Sequence, residues 1–212
     1  MRLYTFPKWL RWLYPGAIWE ISSSNKEIYL TFDDGPNKDI THYILDLMNQ
    51  FDAKATFFCL GNQIEKFPEH FEQIKAAGHA IGNHSMTHMN GWWTKNEKYL
   101  ADVTKAAELI DSKLYRPPYG RISLRQFKKL KKMGYQVVFW SVVSYDFDPG
   151  LRKKKLRNKM ERLTKPGAVF VFHDNPKAMS VLEMELPKLM KFWKDEGYEF
   201  KAIPMSQSQQ SN

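Results

Sequence analysis

Two histidines four residues apart are the first side chains in this sequence whose types and spacing could perform chemistry. They are His84 and His88, in the stretch His84-Ser85-Met86-Thr87-His88. In one turn of a helix, residues i and i+4 share a face, so both imidazoles could bind one metal ion. A catalytic metal site needs a third protein ligand and an open position, and Asp34 is the candidate for that ligand. The alternative is that the two histidines only cap a loop.

A pair of adjacent carboxylates is the second such feature. Asp33 and Asp34 are followed by Gly35 and Pro36. Asp, Gly and Pro are turn formers, so one interpretation is a simple turn after a strand. Adjacent carboxylates repel each other, however, and a site that holds both needs a cation or a basic partner. A metal ion at Asp34 and the guanidinium group of Arg116 near Asp33 would meet both needs.

Strand-like and helix-like segments alternate along the chain and must position these side chains. Several strand candidates are almost entirely apolar, as expected of strands buried on both faces. Strands that alternate with helices favour parallel pairing with right-handed crossovers. Seven such units predict an α/β fold, a distorted or incomplete (β/α) barrel, with a doubly wound open sheet as the alternative. The predicted strands cover residues 28–32, 55–59, 80–82, 114–116, 136–141, 168–172 and 199–203. The predicted helices cover residues 40–50, 63–77, 97–112, 124–133, 151–163 and 181–196.

The chemically able side chains fall at one end of the predicted strands. Each lies at or just after the carboxyl end of a strand, and this is the face on which (β/α) barrels carry their active sites. Residues scattered over a surface would not be expected to segregate in this way. The candidates are Asp33, Asp34, His84, His88, Arg116, Tyr119, Asp146 and His173.

Composition and charge limit the classes of protein. The chain has 212 residues, 43% of them hydrophobic, which fits one domain with a sizeable core. The net charge of +9 is concentrated in residues 128–132 and 152–159. These stretches could attract an anionic polymer, a membrane surface or a nucleic acid, or they could be solvated helix faces, which we favour because apolar residues recur between the charges. No nucleic-acid recognition motif is present.

The first 27 residues are aromatic and basic. Trp9, Trp12 and Trp19 could contribute to a membrane-surface patch, but packing over one end of the domain is the favoured interpretation. The sequence shows neither a signal peptide nor a run of about 20 apolar residues. The default expectation is therefore a cytoplasmic or peripheral protein. The single cysteine, Cys59, excludes an internal disulfide.

Five short motifs, taken in order, resemble those of the polysaccharide deacetylase family, also called carbohydrate esterase family four or the NodB homology domain. Any one of the motifs is a weak signal, but five in the family's order are specific. The resemblance covers residue 28 to about residue 203. The motifs are Thr31-Phe32-Asp33-Asp34-Gly35-Pro36, His84-Ser85-Met86-Thr87-His88, Arg116-Pro117-Pro118-Tyr119-Gly120, Ser144-Tyr145-Asp146-Phe147 and Val171-Phe172-His173.

The resemblance implies a role for each candidate residue. The family carries a divalent metal, usually zinc, with cobalt, nickel or manganese as alternatives, and the implied ligands are Asp34, His84 and His88. The implied general base is Asp33, oriented by Arg116. The implied general acid is His173, oriented by Asp146, and the backbone N–H of Tyr119 is implied to stabilise the oxyanion.

The fourth motif departs from the family's pattern at two positions. Val143 stands where an Asp is usual, and Phe147 stands where a Trp is usual. The Asp that tunes the acid, Asp146, is retained, so we expect catalysis to survive and the fit of the substrate on that wall to differ. Trp92 and Trp93, in the loop after His88, are candidates to stack on sugar rings.

The function predicted by the resemblance is metal-dependent removal of acetyl groups from N-acetylated amino-sugar polymers or oligomers. The glycan could be peptidoglycan, a chitin-like oligomer or an exopolysaccharide, and the oligomeric state is left open. One alternative is a metal-dependent hydrolase of another amide or ester on the same scaffold. Another is a non-catalytic carbohydrate-binding module, although pure binding needs neither Asp33 nor His173. We divide the chain into an N-terminal segment packed on the barrel (1–27), a polysaccharide deacetylase domain (28–205) and a flexible tail (206–212).

Overall fold

The computed structural model describes residues 4–7 and 9–204, and short parallel strands form its centre. The strands are β1 Glu27–Asp33, β2 Thr56–Cys59, β3 Ala80–Asn83, β4 Leu114–Tyr115, β5 Gln136–Val137, β6 Val142–Val143, β7 Val169–His173 and β8 Glu199–Phe200. The helices are α1 Leu10–Leu13, α2 Lys38–Gln50, α3 Gly61–Lys66, α4 Pro68–Ala76, α5 Asn96–Ala107, α6 Leu124–Lys132, α7 Lys153–Leu163 and α8 Met179–Asp195. A 3₁₀ turn covers Pro118–Gly120.

All strand pairings are parallel. The order is β5-β4-β3-β2-β1-β7-β6, and β8 pairs with the start of β1. The sheet curls into a distorted barrel surrounded by helices, which confirms the predicted fold class. The longer strands β1, β2, β3 and β7 lie together, whereas β4, β5 and β6 have two residues each.

Two segments of irregular backbone join the edges of the curled sheet. Between β5 and β6, Val138 N–H donates to the Tyr115 carbonyl and Ser141 N–H donates to the Val169 carbonyl, so the chain crosses from β4 to β7 within three residues. The second segment is residues 18–20, in which Ile18 bridges to Val138, just after β5, and residue 20 bridges to residue 168, just before β7.

Four predicted elements differ from those observed. The strand predicted over 199–203 ends at Phe200. The helix predicted over 63–77 is divided into α3 and α4, because Pro68 has no N–H to continue the first helix and instead starts the second. The helix predicted over 97–112 ends at Ala107, and Ser112 already leads into β4, since its hydroxyl donates to the Ile81 carbonyl at 2.7 Å. The strand predicted over 136–141 is divided into β5 and β6 by the crossing at residues 138–141.

Alternation along β1 sets which side chains enter the barrel. Ile28, Leu30 and Phe32 pack in the main core together with side chains of the helices. The intervening side chains point the other way, because successive strand residues face opposite sides of a sheet. Asp33 therefore ends β1 on the interior side. On the same side, Gly82 leaves room for the Phe58 ring, which would lie 2.4 Å from a β-carbon at that position.

The described part of the N-terminal segment lies against the barrel. Trp19 is buried and stacks on Phe139 with ring centroids 4.1 Å apart, whereas Trp9 and Trp12 are 59% and 85% exposed. Trp19 therefore packs on the domain, whereas the side chains of Trp9 and Trp12 do not. Within residues 4–7 and 9–204, no helix has the length and apolarity needed to cross a membrane. The domain boundaries stay predictions, and the tail at 206–212 lies outside the described residues.

Candidate active site

The ends of β1 and β7 bring two reactive side chains together. Asp33, the last residue of β1, is in register with His173, the last residue of β7. Neighbouring parallel strands lie about 4.8 Å apart, so these residues are adjacent along the rim of the barrel. The Asp174 N–H donates to the Asp33 carbonyl at 2.7 Å and extends the ladder beyond the strands.

Arg116 reaches Asp33 from inside the barrel. Its side chain is fully buried, and its Nη1 donates to Asp33 Oδ1 at 2.7 Å and to the Thr31 hydroxyl at 2.6 Å. Its other nitrogens donate to the Val138 and Phe139 carbonyls at 3.3 and 2.9 Å, and the guanidinium lies over the Phe58 ring at 4.1 Å. A buried cation with this many acceptors holds one oxygen of Asp33 in place and leaves Oδ2 facing the site.

The two histidines converge through an irregular loop. The spacing suggested a helical turn, but residues 84–88 have no helical hydrogen bonding, and Ser85 and His88 have φ values of 72° and 60°. Asp102 holds the loop, because its carboxylate accepts hydrogen bonds from the Met86 and Thr87 N–H groups, both at 3.1 Å. The two imidazoles therefore lie on the same side of the loop, although the loop is not helical.

The orientation of His84 is fixed by a backbone carbonyl. Its Nδ1 lies 2.8 Å from the Arg116 oxygen, and a carbonyl can only accept. Nδ1 must therefore carry the proton, which leaves the lone pair of Nε2 free toward the cleft. The same residue, Arg116, thus positions Asp33 through its side chain and His84 through its main chain.

Asp34, His84 and His88 present three ligand atoms within 4.8 Å of one another. Asp34 Oδ1 lies 3.6 Å from His84 Nε2 and 3.3 Å from His88 Nε2. Among the described residues this buried oxygen has no hydrogen-bond donor, whereas Oδ2 accepts one from Asn175 at 2.7 Å. One carboxylate oxygen and two imidazole nitrogens aimed at one point fit a divalent metal ion.

The protonation states of this group also fit a cation. Burial and the neighbouring His84 lower the pKa of His88 to about 4, so its imidazole is neutral at pH 7. Burial alone would raise the pKa of Asp34, but the nearby histidines and the Asn175 amide lower it overall. Neutral imidazoles and an ionised carboxylate are the forms in which these side chains bind metals.

His173 forms a second pair with Asp146, whose carboxylate is fully buried. Asp146 Oδ1 accepts from His173 Nδ1 at 2.7 Å, and Oδ2 accepts from the His173 backbone N–H at 2.8 Å. Ser144 adds a hydroxyl donor to Oδ1 at 2.8 Å. Burial opposes a charged imidazole, but the carboxylates of Asp146, Asp34 and Asp33 outweigh it and raise the pKa of His173 to about 9. Nε2 is therefore the atom that can deliver a proton to a group in the cleft.

Backbone strain is concentrated at this site. Among the described residues other than glycine, six have positive φ, and five of them lie at the cleft or in its loops: Asp34, Ser85, His88, Tyr119 and Tyr145. Such conformations cost of order 1–3 kcal/mol each and persist only where surrounding contacts enforce them. The strain at Tyr119 accompanies a turn whose two closing hydrogen bonds are donated by Gly120 and Arg121. Neither bond uses the Tyr119 N–H.

The sequence patterns assign no role to two residues of the site, although Asp174 follows the same strand as His173. Asn175 is the donor to Asp34, and Asp174 packs so closely on Gly35 that a β-carbon there would lie 2.1 Å from its Oδ2. Asp174 is buried, which raises its pKa to about 7, and it accepts from the hydroxyl of Thr41. No motif marked these residues, although their position directly after His173 could have suggested them.

The reactive groups line a cleft of about 660 Å³. Six of the candidate residues form part of its walls: Asp33, Asp34, His84, His88, Tyr119 and His173. Arg116 lies behind Asp33, and Asp146 lies behind His173. Val143 and Phe147 also line the cleft, and the Phe147 ring lies edge-on to His173 at 4.7 Å. All eight candidate residues therefore belong to one site.

Part of the cleft wall comes from the N-terminal segment. Thr5, Phe6 and Pro7 line the cleft, and Phe6 packs on Trp140 with ring centroids 5.0 Å apart. The Val143 N–H donates to the Tyr4 carbonyl at 3.0 Å, which holds this segment beside the altered fourth motif. Trp92 and Trp93 are exposed. The ring of Trp92 lies 5.1 Å from the guanidinium of Arg121, a residue that lines the cleft.

Comparisons with known proteins point to one family. A model of the polysaccharide deacetylase family matches residues 20–138. A peptidoglycan-N-acetylglucosamine deacetylase of Bacillus cereus is 33% identical over 193 residues, which cover 87% of this chain and 90% of that protein. A chitooligosaccharide deacetylase of Azorhizobium caulinodans is 30% identical over 166 residues, covering 75% of this chain and 79% of its own.

A solved structure agrees with the sequence comparisons. The crystal structure of the Bc1960 peptidoglycan N-acetylglucosamine deacetylase superposes with a TM-score of 0.86 at 30% identity. The superposition covers 94% of this chain and 95% of that one. The likeness therefore extends beyond the five motifs to nearly the whole fold.

Proposed function

Because the chain belongs to the polysaccharide deacetylase family, we propose that it is an enzyme that hydrolyses the N-acetyl groups of an amino-sugar polymer or oligomer and releases acetate. One observation carries the proposal beyond family membership. Asp33 and His173, groups suited to opposite proton transfers, are register neighbours beside the Asp34–His84–His88 cluster. Each has its own partner of opposite charge, Arg116 and Asp146.

The residues that would hold the cofactor are Asp34, His84 and His88. Zinc is the proposed ion, since imidazole nitrogen and carboxylate oxygen are common zinc ligands and a three-residue site leaves one position open. Cobalt, nickel and manganese accept similar ligands. Bound there, the ion supplies Lewis-acid activation of the acetamide carbonyl and of the attacking water.

The protein's own groups move the protons. Asp33, held by Arg116, accepts a proton from the attacking water through Oδ2, and the tetrahedral oxyanion that forms accepts a hydrogen bond from the Tyr119 N–H. His173 then donates its Nε2 proton to the sugar nitrogen as the C–N bond breaks. The products are acetate and a free amino sugar.

The glycan is proposed from the relatives. Peptidoglycan is favoured because the B. cereus relative named for that polymer is similar over 90% of its length. A chitin-like oligomer is the second candidate, since the A. caulinodans relative is named for that substrate. A different amide or ester hydrolase on the same scaffold would share the whole machinery.

Acetate release tests the proposal. The enzyme, loaded with zinc, is incubated with peptidoglycan fragments, chito-oligosaccharides, other N-acyl amino sugars and O-acetyl esters, with and without a chelator. We expect acetate from the N-acetyl glycans, loss of activity with chelator and recovery with zinc. His84→Ala should lose both bound metal and activity, whereas Trp12→Ala, at an exposed side chain, should keep both. Hydrolysis of esters alone would favour the second function.

A further inference from the structure

A second cavity, of about 690 Å³, lies beside α7 and is lined with cations. Arg152, Lys155, Lys159 and Arg162 follow one another at intervals of three and four residues, so they share one side of the helix. Leu156 and Met160, on another side, are buried in the core. Tyr4, Gly150, Leu151 and Asn158 complete the lining, and no carboxylate is among these described residues.

A basic helix face is often no more than solvated surface. This face differs from the other basic stretch because its four cations line one cavity, whereas on α6 two of the four lysines, Lys129 and Lys131, have polar partners and the other two are exposed. On α6, Lys129 lies 3.8 Å from Glu97, and Lys131 donates to the Pro15 carbonyl at 3.0 Å. On α7, Arg157 points away from the cavity and pairs with Glu185 at 3.3 Å. Within residues 4–7 and 9–204, none of the four cations that line the cavity forms an ion pair.

The cavity and the active-site cleft are separated by a thin wall. Tyr4 lines the cavity, while the next three residues, 5–7, line the cleft. The Tyr4 ring meets the ring of Tyr145, a cleft residue, edge-on at 5.4 Å. On the other side, only two residues separate Gly150, which lines the cavity, from Phe147, which lines the cleft. A polymer bound in the cleft can therefore extend over this wall into the cavity.

From this placement we propose that the cavity binds the anionic groups, carboxylate or phosphate, of the glycan polymer whose acetyl group occupies the cleft. The inference rests on the proposed function for the identity of the polymer. Four like charges that face one open cavity repel each other, and an anion between them relieves that repulsion. The cavity thereby favours an anionic glycan over a neutral one of equal length, chiefly through binding.

Paired charge reversals test this site. Lys155→Glu with Lys159→Glu cancels the positive charge of the cavity lining, because Arg152 and Arg162 then face two carboxylates. Lys128→Glu with Lys132→Glu makes the same change of net charge on the exposed face of α6. Each zinc-loaded enzyme is assayed with neutral chito-oligosaccharide and with soluble peptidoglycan fragments that carry peptide carboxylates. Exposed charge pairs contribute little individually, so we expect the cavity variant to lose about tenfold in kcat/KM on the anionic fragments, through KM. The loss should shrink at 1 M salt, because the Debye length falls to about 3 Å and the interactions between charges are screened.

The control and the neutral substrate make the result decisive. The α6 variant should match the wild type on both substrates, and the cavity variant should match it on the neutral oligosaccharide. Equal losses for both variants would mean that net charge acts and not the cavity, and no loss on the anionic fragments would also overturn the proposal. Competition for binding by inorganic phosphate and by succinate, compared between the wild type and the cavity variant, separates the two anion chemistries. Binding of anionic phospholipid vesicles, lost in the cavity variant while the glycan kinetics stay unchanged, would assign the cavity to a membrane instead.

Failure of the proposed function would look different. If the wild type released no acetate from any glycan, the binding of the labelled anionic fragments could still be measured by fluorescence anisotropy. Weaker binding by the cavity variant alone would then support the anion site without the reaction. Equal binding by the wild type and both variants would reject the site.

Discussion

The two sides of the cleft hold their reactive groups in different ways. On the β1 side, Asp33 is fixed by Arg116, a cation that lies fully inside the barrel and has several carbonyl and hydroxyl acceptors. On the β7 side, His173 is fixed by Asp146, which lies in a loop and is held by Ser144. Arginine does not titrate near pH 7, whereas histidine does. Damage to the β1 side should therefore appear mainly in stability, and damage to the β7 side in the response to pH.

Removal of the reactive groups themselves should have the largest effect and should be similar on both sides. Asp33→Asn and His173→Ala are each expected to lower kcat by roughly 10²–10⁴-fold, the usual contribution of a positioned base or acid. Zinc content, measured by metal analysis after gel filtration, should stay near that of the wild type in both, since neither is a proposed ligand. A His173→Ala enzyme with normal turnover would remove His173 from the mechanism.

Loss of the supporting cation should reveal the difference in stability. Arg116→Met leaves the buried Asp33 carboxylate without its partner, and breaking a buried pair typically costs about 3–5 kcal/mol. Asp146→Asn keeps the shape of its side chain and an oxygen acceptor for His173, so we expect a smaller loss. Urea unfolding of the metal-free proteins at pH 7 measures both. Equal losses would contradict the distinction between the two sides.

Asn175 links the sides, and its removal should have an intermediate effect. It follows β7 but donates to Asp34, on the β1 side. Partners that orient a metal ligand are typically worth 10–100-fold in metal affinity, so Asn175→Ala should weaken zinc binding by about that factor. Competition with a chromophoric chelator gives the affinity. Asn175→Asp, which places a second carboxylate beside Asp34, serves as a comparison and should not restore the donor.

The smallest expected effect is a shift in pH dependence confined to the β7 side. The pKa of His173 is raised to about 9, and the acid must be protonated to act, so activity should fall as the pH rises through that value. Asp146→Asn removes the nearest negative charge, and the pKa should move down toward the ordinary value of about 6.5. The alkaline limb of kcat should therefore move to lower pH. An unchanged alkaline limb would mean that another group sets it.

The sequence predicted those parts of the site that follow long apolar strands. β1, β2, β3 and β7 are found within a residue or two of their predicted positions, because consecutive buried residues give a clear pattern. β4 was also predicted within a residue, at 114–116, but β5 and β6 were not separated, since two residues carry almost no periodicity and their pairing depends on distant contacts. Residues 138–141 read as a continuous strand, although the chain uses them to cross between β4 and β7.

Other features of the site lay beyond a local pattern. The four-residue spacing of His84 and His88 fits a helical turn and also the irregular loop that Asp102 holds. Nothing in residue type or spacing indicated that residues 5–7 reach the cleft, because that contact joins the start of the chain to the loop around Val143. Motifs name the groups that react, but the walls around them are set by long-range packing.

The central position of β1 also has a consequence for how the molecule assembles. Thr31, in β1, is hydrogen-bonded to Phe170, in β7, across 139 positions of the chain, whereas β2 and β3 follow β1 closely. Asp34, His84 and His88 therefore depend on strands near one another in sequence, while His173 joins them only when a very large loop closes. Contacts between residues so far apart in sequence form slowly, because closing the loop costs conformational entropy before the contact can stabilise it. In a chain that grows from its amino terminus, the three ligands emerge well before the acid, so proton donation is the last capacity of the site to arise.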